Sequence, residues 1–266
     1  MSNDTSKANP IDGKETPEEN ESDKATWGPN AAIFVAALAF IISQLIGSAL
    51  IFLVLALAGW PISRTENWMN GVSGGFFSIL LIESLVILTV WWYLRHRKLD
   101  WRLLGFKRWP RISDVGATAI GFVVYYVLLI LAVEAAEGLF HVNVNQKQEL
   151  GFDTVVGTLQ KTLTFISLVV LPPIGEEILF RGFLFRGLRN KLSFVWAALI
   201  TSVCFASLHL LEGSGGLFWI GGIDTFILSL VLCRLRERTG NLWSGMFLHM
   251  VKNGIAFATL YIFVSK

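Results

Sequence analysis

Long apolar runs separated by short polar or charged stretches dominate the chain from residue 31 onward. A helix that crosses a lipid bilayer needs about 20 consecutive apolar residues. Seven stretches approach or exceed this length, and they run over 31–59, 72–94, 115–139, 162–185, 193–211, 217–233 and 243–264. The pattern predicts an all-α polytopic membrane protein, with about seven transmembrane helices enclosing an intramembrane site. An eighth, re-entrant segment would fit the short sixth stretch, which follows the glycine-rich sequence GSGG.

The composition supports the same class. Apolar residues make up 53% of the chain and charged residues 16%, and the mean hydropathy is +0.57. A soluble domain carries about 25% charged residues, so we expect the lipid bilayer to surround this chain. A net charge of +2 does not suggest a nucleic-acid partner. Cys204 and Cys233 both lie in apolar stretches, where the expected role of a cysteine is packing.

The polar pattern divides the chain into three parts. Residues 1–28 are rich in Glu, Asp, Asn and Lys and lack the apolar core of a signal peptide, so they are predicted to form a disordered tail. Residues 29–158 carry the N-terminal transmembrane helices and a basic loop at 95–111. Residues 159–266 carry the candidate catalytic groups.

Positive charges alternate between the connecting loops. The loops after the second, fourth and sixth apolar stretches are basic, whereas the other loops carry few cations. The basic residues are Arg95, Arg97, Lys98, Arg102, Lys107, Arg108 and Arg111, then Arg186, Arg189 and Lys191, then Arg234, Arg236 and Arg238. Because cytoplasmic loops are enriched in Lys and Arg, the N-terminus is predicted to be cytoplasmic. The expected location is a bacterial inner membrane.

The fourth apolar stretch contains the sequence LPPIGEEILFRGFLFRG. Pro172 and Pro173 interrupt the helical hydrogen-bond ladder just before two glutamates. Glu177 and Arg181 are four residues apart and are predicted to form a supporting ion pair that fixes the helix. Glu176 points about 100° away from Glu177 and has no partner on its own helix. An unpaired carboxylate in this setting suits a general base.

Two of the four histidines of the chain also lie within apolar stretches. The fifth stretch contains FASLH, which ends in His209. The seventh contains HMVKN, in which His249 and Asn253 are four residues apart and share a helix face. Glu176 with His209 would hold and deprotonate a water molecule, while His249 and Asn253 would donate hydrogen bonds to an oxyanion. Each such donor lowers the barrier by about 3–4 kcal/mol.

Other mechanisms fit these residues less well or equally well. Ser207 and Cys204 lie near His209, but neither has the strained turn or the third triad member that a nucleophile needs. Glu176, His209 and His249 could instead form a zinc site with one open position. The spacing does not decide between this divalent metal site and a metal-free mechanism driven by glutamate.

These motifs resemble the signature blocks of the CPBP (CAAX protease and bacteriocin-processing, Abi) family of intramembrane endopeptidases. The resemblance rests on EEILFR, FASLH, HMVKN and the preceding TGNLWSGMFLH, and it covers roughly residues 160–260. It implies an intramembrane endopeptidase, with Glu176, His209, His249 and Asn253 as the catalytic residues and a membrane-associated peptide or protein as the substrate. In the eukaryotic branch the substrate is a prenylated C-terminal tail. Bacterial members process peptides, protect against them, or act in regulation.

Other charged residues within the apolar stretches have structural interpretations. Glu83, Glu134 and Glu137 are interpreted as interfacial or packing residues. Lys252 occupies a position where an apolar or small residue is expected in this family. It is interpreted as a lysine that extends its charge toward the membrane surface, or alternatively as a partner of Asp224, which is also a candidate site residue.

The predicted helix boundaries raise a difficulty with depth. They place Glu176 near the middle of the membrane, His249 in the cytoplasmic half and His209 in the outer half. A shared site therefore requires the fifth helix to sit deeper or the helices to tilt.

Two other functions remain open: a non-enzymatic immunity or regulatory partner of another membrane protein, and a transporter with a protonatable pathway. The transporter is disfavoured because no repeat of spans is visible.

Overall fold

A computed structural model of the chain describes residues 27–146, 148, 152, 155–213 and 216–263. Most of the predicted tail therefore lies outside the described residues. The described part is built from eight helices and one 3₁₀ turn, Trp101–Leu104. The helices are α1 (Pro29–Leu57), α2 (Ile62–Met69), α3 (Val72–His96), α4 (Ile112–Phe140), α5 (Gly157–Arg189), α6 (Phe194–His209), α7 (Trp219–Thr239) and α8 (Trp243–Phe263).

Five of the described helices, α1, α3, α4, α5 and α8, are long and apolar enough to cross a membrane. The α6 helix is apolar but has only 16 residues, and the last turn of α7 is basic. A helix is present at each of the seven predicted stretches, which confirms an all-helical, polytopic membrane protein. The number of seven or eight complete spans stays a prediction.

The helices differ in how much of their surface is buried. Only 17% of the apolar window of α1, α3 or α4 is buried, against 50% in α5. The outer helices present large apolar side chains such as Phe34 and Ile120 outward, as lipid contact requires, and bury small residues such as Ala39 inward. The α5 helix is therefore the central helix of the bundle.

The centre of α5 departs from regular α-helical geometry. Two π-helical segments occur in it, Ile166–Val170 and Glu177–Leu184. The two prolines between them, Pro172 and Pro173, have no N–H to donate, so the backbone ladder must change register around them. Single-turn π-bulges of this kind are frequent at functional sites.

The basic loops come together at one end of the bundle, which we call the basic end. Trp243 Nε1 donates to the carbonyl of Arg108 (2.7 Å), and the amide of Leu242 donates to the carbonyl of Gly105 (3.3 Å). Trp27, which lies just before α1, stacks on Phe183 in the half of α5 nearer the basic end. These contacts join the loop at 97–111 to the α7–α8 turn, and the start of α1 to α5.

Two of the remaining loops meet at the opposite end. Gln146 donates to the carbonyl of Leu217 (2.9 Å), and the Gln148 side chain donates to Glu212 (2.6 Å). An isolated antiparallel bridge also joins Gln148 to Gly213. The α4–α5 loop therefore lies against the α6–α7 loop, far along the bundle from the basic end.

Candidate active site

A cavity of about 440 Å³ lies between α4, α5, α7 and α8. Such a volume is within the range of about 300–1,000 Å³ that ligand sites occupy. Its polar lining consists of Gln148, Glu176, His209, Glu212, Asp224, Thr225, His249, Lys252 and Asn253. All four residues predicted to be catalytic therefore line one cavity. Apolar side chains, among them Leu129, Val133, Phe257 and Leu260, complete the wall.

His249 lies between the two adjacent glutamates of α5. Its Nδ1 is 3.3 Å from Glu177 Oε1, and its Nε2 is 3.6 Å from Glu176 Oε2. Because Glu177 is an ion-paired carboxylate, Nδ1 is assigned as the atom that carries a proton and donates to it. The contact directs Nε2 toward Glu176. Nε2 then donates a hydrogen bond only when the ring is an imidazolium.

Glu177 and Arg181 form the predicted pair on α5. Arg181 Nη1 donates to Glu177 Oε1 at 2.9 Å, and both residues are fully buried. The Arg181 guanidinium also lies 4.4 Å from the ring centre of Phe205 on α6. Since Glu177 in turn contacts His249 on α8, this pair links three helices and fixes the ring of His249.

His209 is oriented by its own helix. Its Nδ1 lies 2.9 Å from the carbonyl oxygen of Phe205, one turn earlier in α6. A carbonyl can only accept, so Nδ1 is assigned as the protonated nitrogen and Nε2 carries the lone pair. His209 also lines the cavity with Glu176. A neutral His209 in this tautomer can accept a proton or a hydrogen bond from water at Nε2.

Residues 158–255 match the family model described as "Type II CAAX prenyl endopeptidase Rce1-like". We call residues 158–255 the Rce1-like segment. The match confirms the resemblance to the CPBP family and supports a protease. It contains Glu176, His209, His249 and Asn253 and excludes α1, α3 and α4. No curated protein and no solved structure matches the chain significantly.

Asn253 has a structural contact within the Rce1-like segment. Its Nδ2 donates to the carbonyl of Leu168 at 2.9 Å. That carbonyl would accept from residue 172 in an α-helix and from residue 173 in a π-helix, and both are prolines without an N–H. Asn253 thus supplies the hydrogen bond that neither helical register can supply. One amide hydrogen of Asn253 is committed to this contact.

Lys252 and Asp224 form an ion pair in the cavity wall. Lys252 Nζ lies 2.9 Å from Asp224 Oδ2, and Asp224 also accepts a short hydrogen bond from the Tyr125 hydroxyl. This confirms the pairing interpretation of Lys252 instead of a lysine that extends toward the membrane surface. The pair joins α8 to α7, and Tyr125 adds α4, which lies outside the Rce1-like segment.

Glu83 of α3 approaches the site, although the sequence assigned it only to packing or an interface. Its carboxylate lies against Gly175, where a Cβ atom would overlap it, and it interacts electrostatically with Glu176. The motif itself carried no signal for this contact because α3 lies about 90 residues earlier in the chain. The exposed side chains of Glu134 and Glu137 lie near the end of α4, as predicted.

The predicted difference in depth does not separate these residues, because Glu176, His209 and His249 all line one cavity. With 16 residues, α6 extends about 24 Å at 1.5 Å per residue, short of the roughly 30 Å of a bilayer core. His209 is its last residue, and the chain then turns back toward α7. His209 can therefore line the same cavity as Glu176 and His249.

The alternatives in chemistry are also constrained. The Ser207 side chain is exposed and donates to the carbonyl of Cys204 (2.8 Å) on its own helix. Among the described residues, no three His, Cys, Asp or Glu side chains are arranged to hold a metal ion. Glu176, His209 and His249 therefore do not form a preorganised metal site.

Proposed function

We propose that this integral membrane protein is a CAAX-protease-like intramembrane endopeptidase that hydrolyses a peptide bond with water activated by Glu176. One observation carries the proposal: Glu176, His209 and His249, which all belong to the Rce1-like segment, line a single cavity. The buried Glu177–Arg181 pair behind His249 gives this group a rigid support. We further propose a membrane-associated peptide or protein as the substrate.

The first step is attack by water on the scissile carbonyl. Glu176 takes a proton from the water, and His209 Nε2 holds the same water as a hydrogen-bond acceptor. The oxygen of the water bonds to the carbonyl carbon, and the carbonyl oxygen becomes an oxyanion. A positioned general base of this kind accelerates the reaction by about 10²–10⁴-fold.

Collapse of the tetrahedral intermediate breaks the carbon–nitrogen bond. The proton held by Glu176 is transferred to the leaving nitrogen, so the products are a carboxylic acid and an amine. His249, as an imidazolium held by Glu177, donates Nε2–H to the oxyanion, and Asn253 donates its second amide hydrogen. Loss of one such donor costs about 10²–10³-fold in rate.

The decisive test replaces Glu176 with Gln. New protein termini are scored in the membrane and secreted proteomes of cells carrying the wild type, E176Q or E137Q. Glu137 is an exposed carboxylate of another apolar helix, so E137Q is the matched control. We expect the termini to disappear in E176Q, at an expression level equal to the wild type, and to persist in E137Q.

The opposite result would favour a non-enzymatic partner. If E176Q leaves every terminus unchanged and still restores what a deletion strain lacks, then hydrolysis is not the function of the protein. The basic loop at 95–111 and the N-terminal tail would then become the segments to truncate.

A further inference from the structure

We infer that the cavity takes its substrate from the non-cytoplasmic side of the membrane. The inference rests on the proposed function and narrows its substrate class. The peptides to be cut would be secreted peptides or non-cytoplasmic segments of membrane proteins, and not tails that end in the cytoplasm.

Most lining residues lie in the parts of the helices that are remote from the basic end. The α4 and α8 helices both begin at the basic end. The residues of α4 that line the cavity start at Leu129, and those of α8 start at His249, the seventh residue of that helix. The α7 helix ends at the basic end and contributes only its first two turns. The cavity therefore extends from the middle of the bundle toward the opposite end.

The rim of the cavity is formed by the loops of that opposite end. Gln148, Glu212 and Phe218 belong to the α4–α5 and α6–α7 loops, and all three line the cavity. Glu212 is about 36% exposed at its side chain, while His249 at the inner end of the cavity is 4% exposed. Exposure thus falls from the rim inward to the proposed catalytic group.

The cavity is closed toward the basic end. Between the inner residues, Glu176 and His249, and the basic loops lies a layer of buried side chains. It consists of Leu104, Glu177, Phe180, Arg181, Phe183, Phe205, Leu242 and Met246, each no more than 4% exposed. A peptide at the basic end would have to displace this core to reach Glu176.

The two ends differ strongly in charge. Thirteen lysines and arginines lie at 95–111, 186–191 and 234–238, the segments of the basic end. The segments 58–71, 141–156 and 210–218 together contain only Arg64 and Lys147, against four acidic residues. The enrichment of Lys and Arg in cytoplasmic loops places the basic end in the cytoplasm. The rim then faces the other side.

Cysteine labelling tests which side the rim faces. In a background lacking Cys204 and Cys233, L211C places a thiol beside the rim and W109C places one at the basic end, where the native side chains are 78% and 84% exposed. V156C and I112C provide a second pair in case either variant does not fold, since the native side chains are 70% and 86% exposed. The probe is a membrane-impermeant maleimide added to intact cells.

We expect L211C and V156C to be labelled in intact cells, and W109C and I112C only after permeabilisation. The reverse pattern would overturn the inference. Labelling does not require Glu176 to act, so this result is independent of the E176Q test. Where E176Q removes termini, we expect the lost cleavage sites to lie in non-cytoplasmic segments. Sites confined to cytoplasmic tails would contradict the inference while leaving the protease proposal intact.

Discussion

At the scale of single residues, Asn253 has two roles: a structural hydrogen bond to α5 and a proposed part in catalysis. The sequence predicted its helix face and its proximity to His249, because a four-residue spacing fixes both. The bond to the Leu168 carbonyl was not predictable. It depends on where α5 crosses α8, and short motifs contain no information about that crossing.

The dual position of Asn253 gives a testable prediction. N253D keeps the size of the side chain but places an acceptor against the Leu168 carbonyl, so the hydrogen bond of 2.9 Å is lost. We expect stability to fall by about 1–2 kcal/mol, with a lower apparent Tm in detergent and a loss of proteolysis.

The control for N253D is T259V. Thr259 is on the same helix, and its hydroxyl donates to the Ile255 carbonyl of that helix. T259V should leave both the apparent Tm and the activity close to wild type. If N253D has the wild-type Tm, then the contact with Leu168 does not stabilise the bundle, and Asn253 acts on the substrate alone.

His209 and His249 show how far residue types alone can be interpreted. Their presence on separate apolar stretches indicated a shared site, and the structure places both on one cavity. Their tautomers follow from the Phe205 carbonyl and the Glu177 carboxylate, respectively. Of these two partners, only Glu177 was singled out from the sequence, and it was assigned to Arg181 and not to a histidine.

At the scale of elements, α5 carries most of what the sequence did not predict. The positions of the apolar helices follow from hydropathy, because a helix that crosses the bilayer needs about 20 consecutive apolar residues. The π-helical turns accompany two prolines that have no N–H to donate, and hydropathy does not report backbone hydrogen bonding. The approach of Glu83 from α3 requires the absence of a side chain at Gly175.

The contact between α3 and α5 predicts a compensating pair of substitutions. G175A adds a methyl group where the Glu83 carboxylate lies, so we expect α5 to shift and activity to fall at least about 10-fold, since small misplacements of catalytic groups are costly. E83A/G175A removes the obstructing carboxylate and should restore the apparent Tm toward that of E83A alone.

Gly138 of α4 provides the control for G175A. Among the described residues, apart from its chain neighbours and the backbone of its own helix, no atom lies within 4 Å of where a Cβ of residue 138 would be, so G138A should be tolerated, and alanine is a better helix former than glycine. Equal activity of G175A and wild type would show that Glu83 can move aside at no cost and does not position Glu176.

At the scale of the whole molecule, the two ends of the bundle differ in structure. The basic end is tightly joined by long-range hydrogen bonds, and the opposite end surrounds the cavity rim. The alternation of basic loops predicted which segments share an end, and the structure places them together. It did not predict which end the cavity reaches, since that depends on the short α6 and on where the buried core lies.

Asp114 connects several segments of the basic end. Its buried carboxylate accepts from both terminal nitrogens of Arg108 (2.7 and 2.9 Å), from the Arg111 amide (2.8 Å), and from Asn241 and Ser244 (3.2 Å each). The hydrogen bonds to this carboxylate raise the pKa of the Arg108 guanidinium, against a smaller opposing effect of desolvation. One side chain thus connects the loop, α4 and α8.

D114N should therefore destabilise the fold without reaching the cavity. An asparagine amide places a donor among donors, so at least one of these hydrogen bonds must break. We expect the apparent Tm in detergent to fall by about 5 °C or more. E237Q is the control, because Glu237 pairs with Arg189 at the same 2.7 Å but is 30% exposed, and exposed pairs contribute little.

The proteolytic rate of D114N well below its Tm should equal that of the wild type, because the buried layer separates Asp114 from Glu176. A slower D114N at equal folded fraction would show instead that the basic end is coupled to the site.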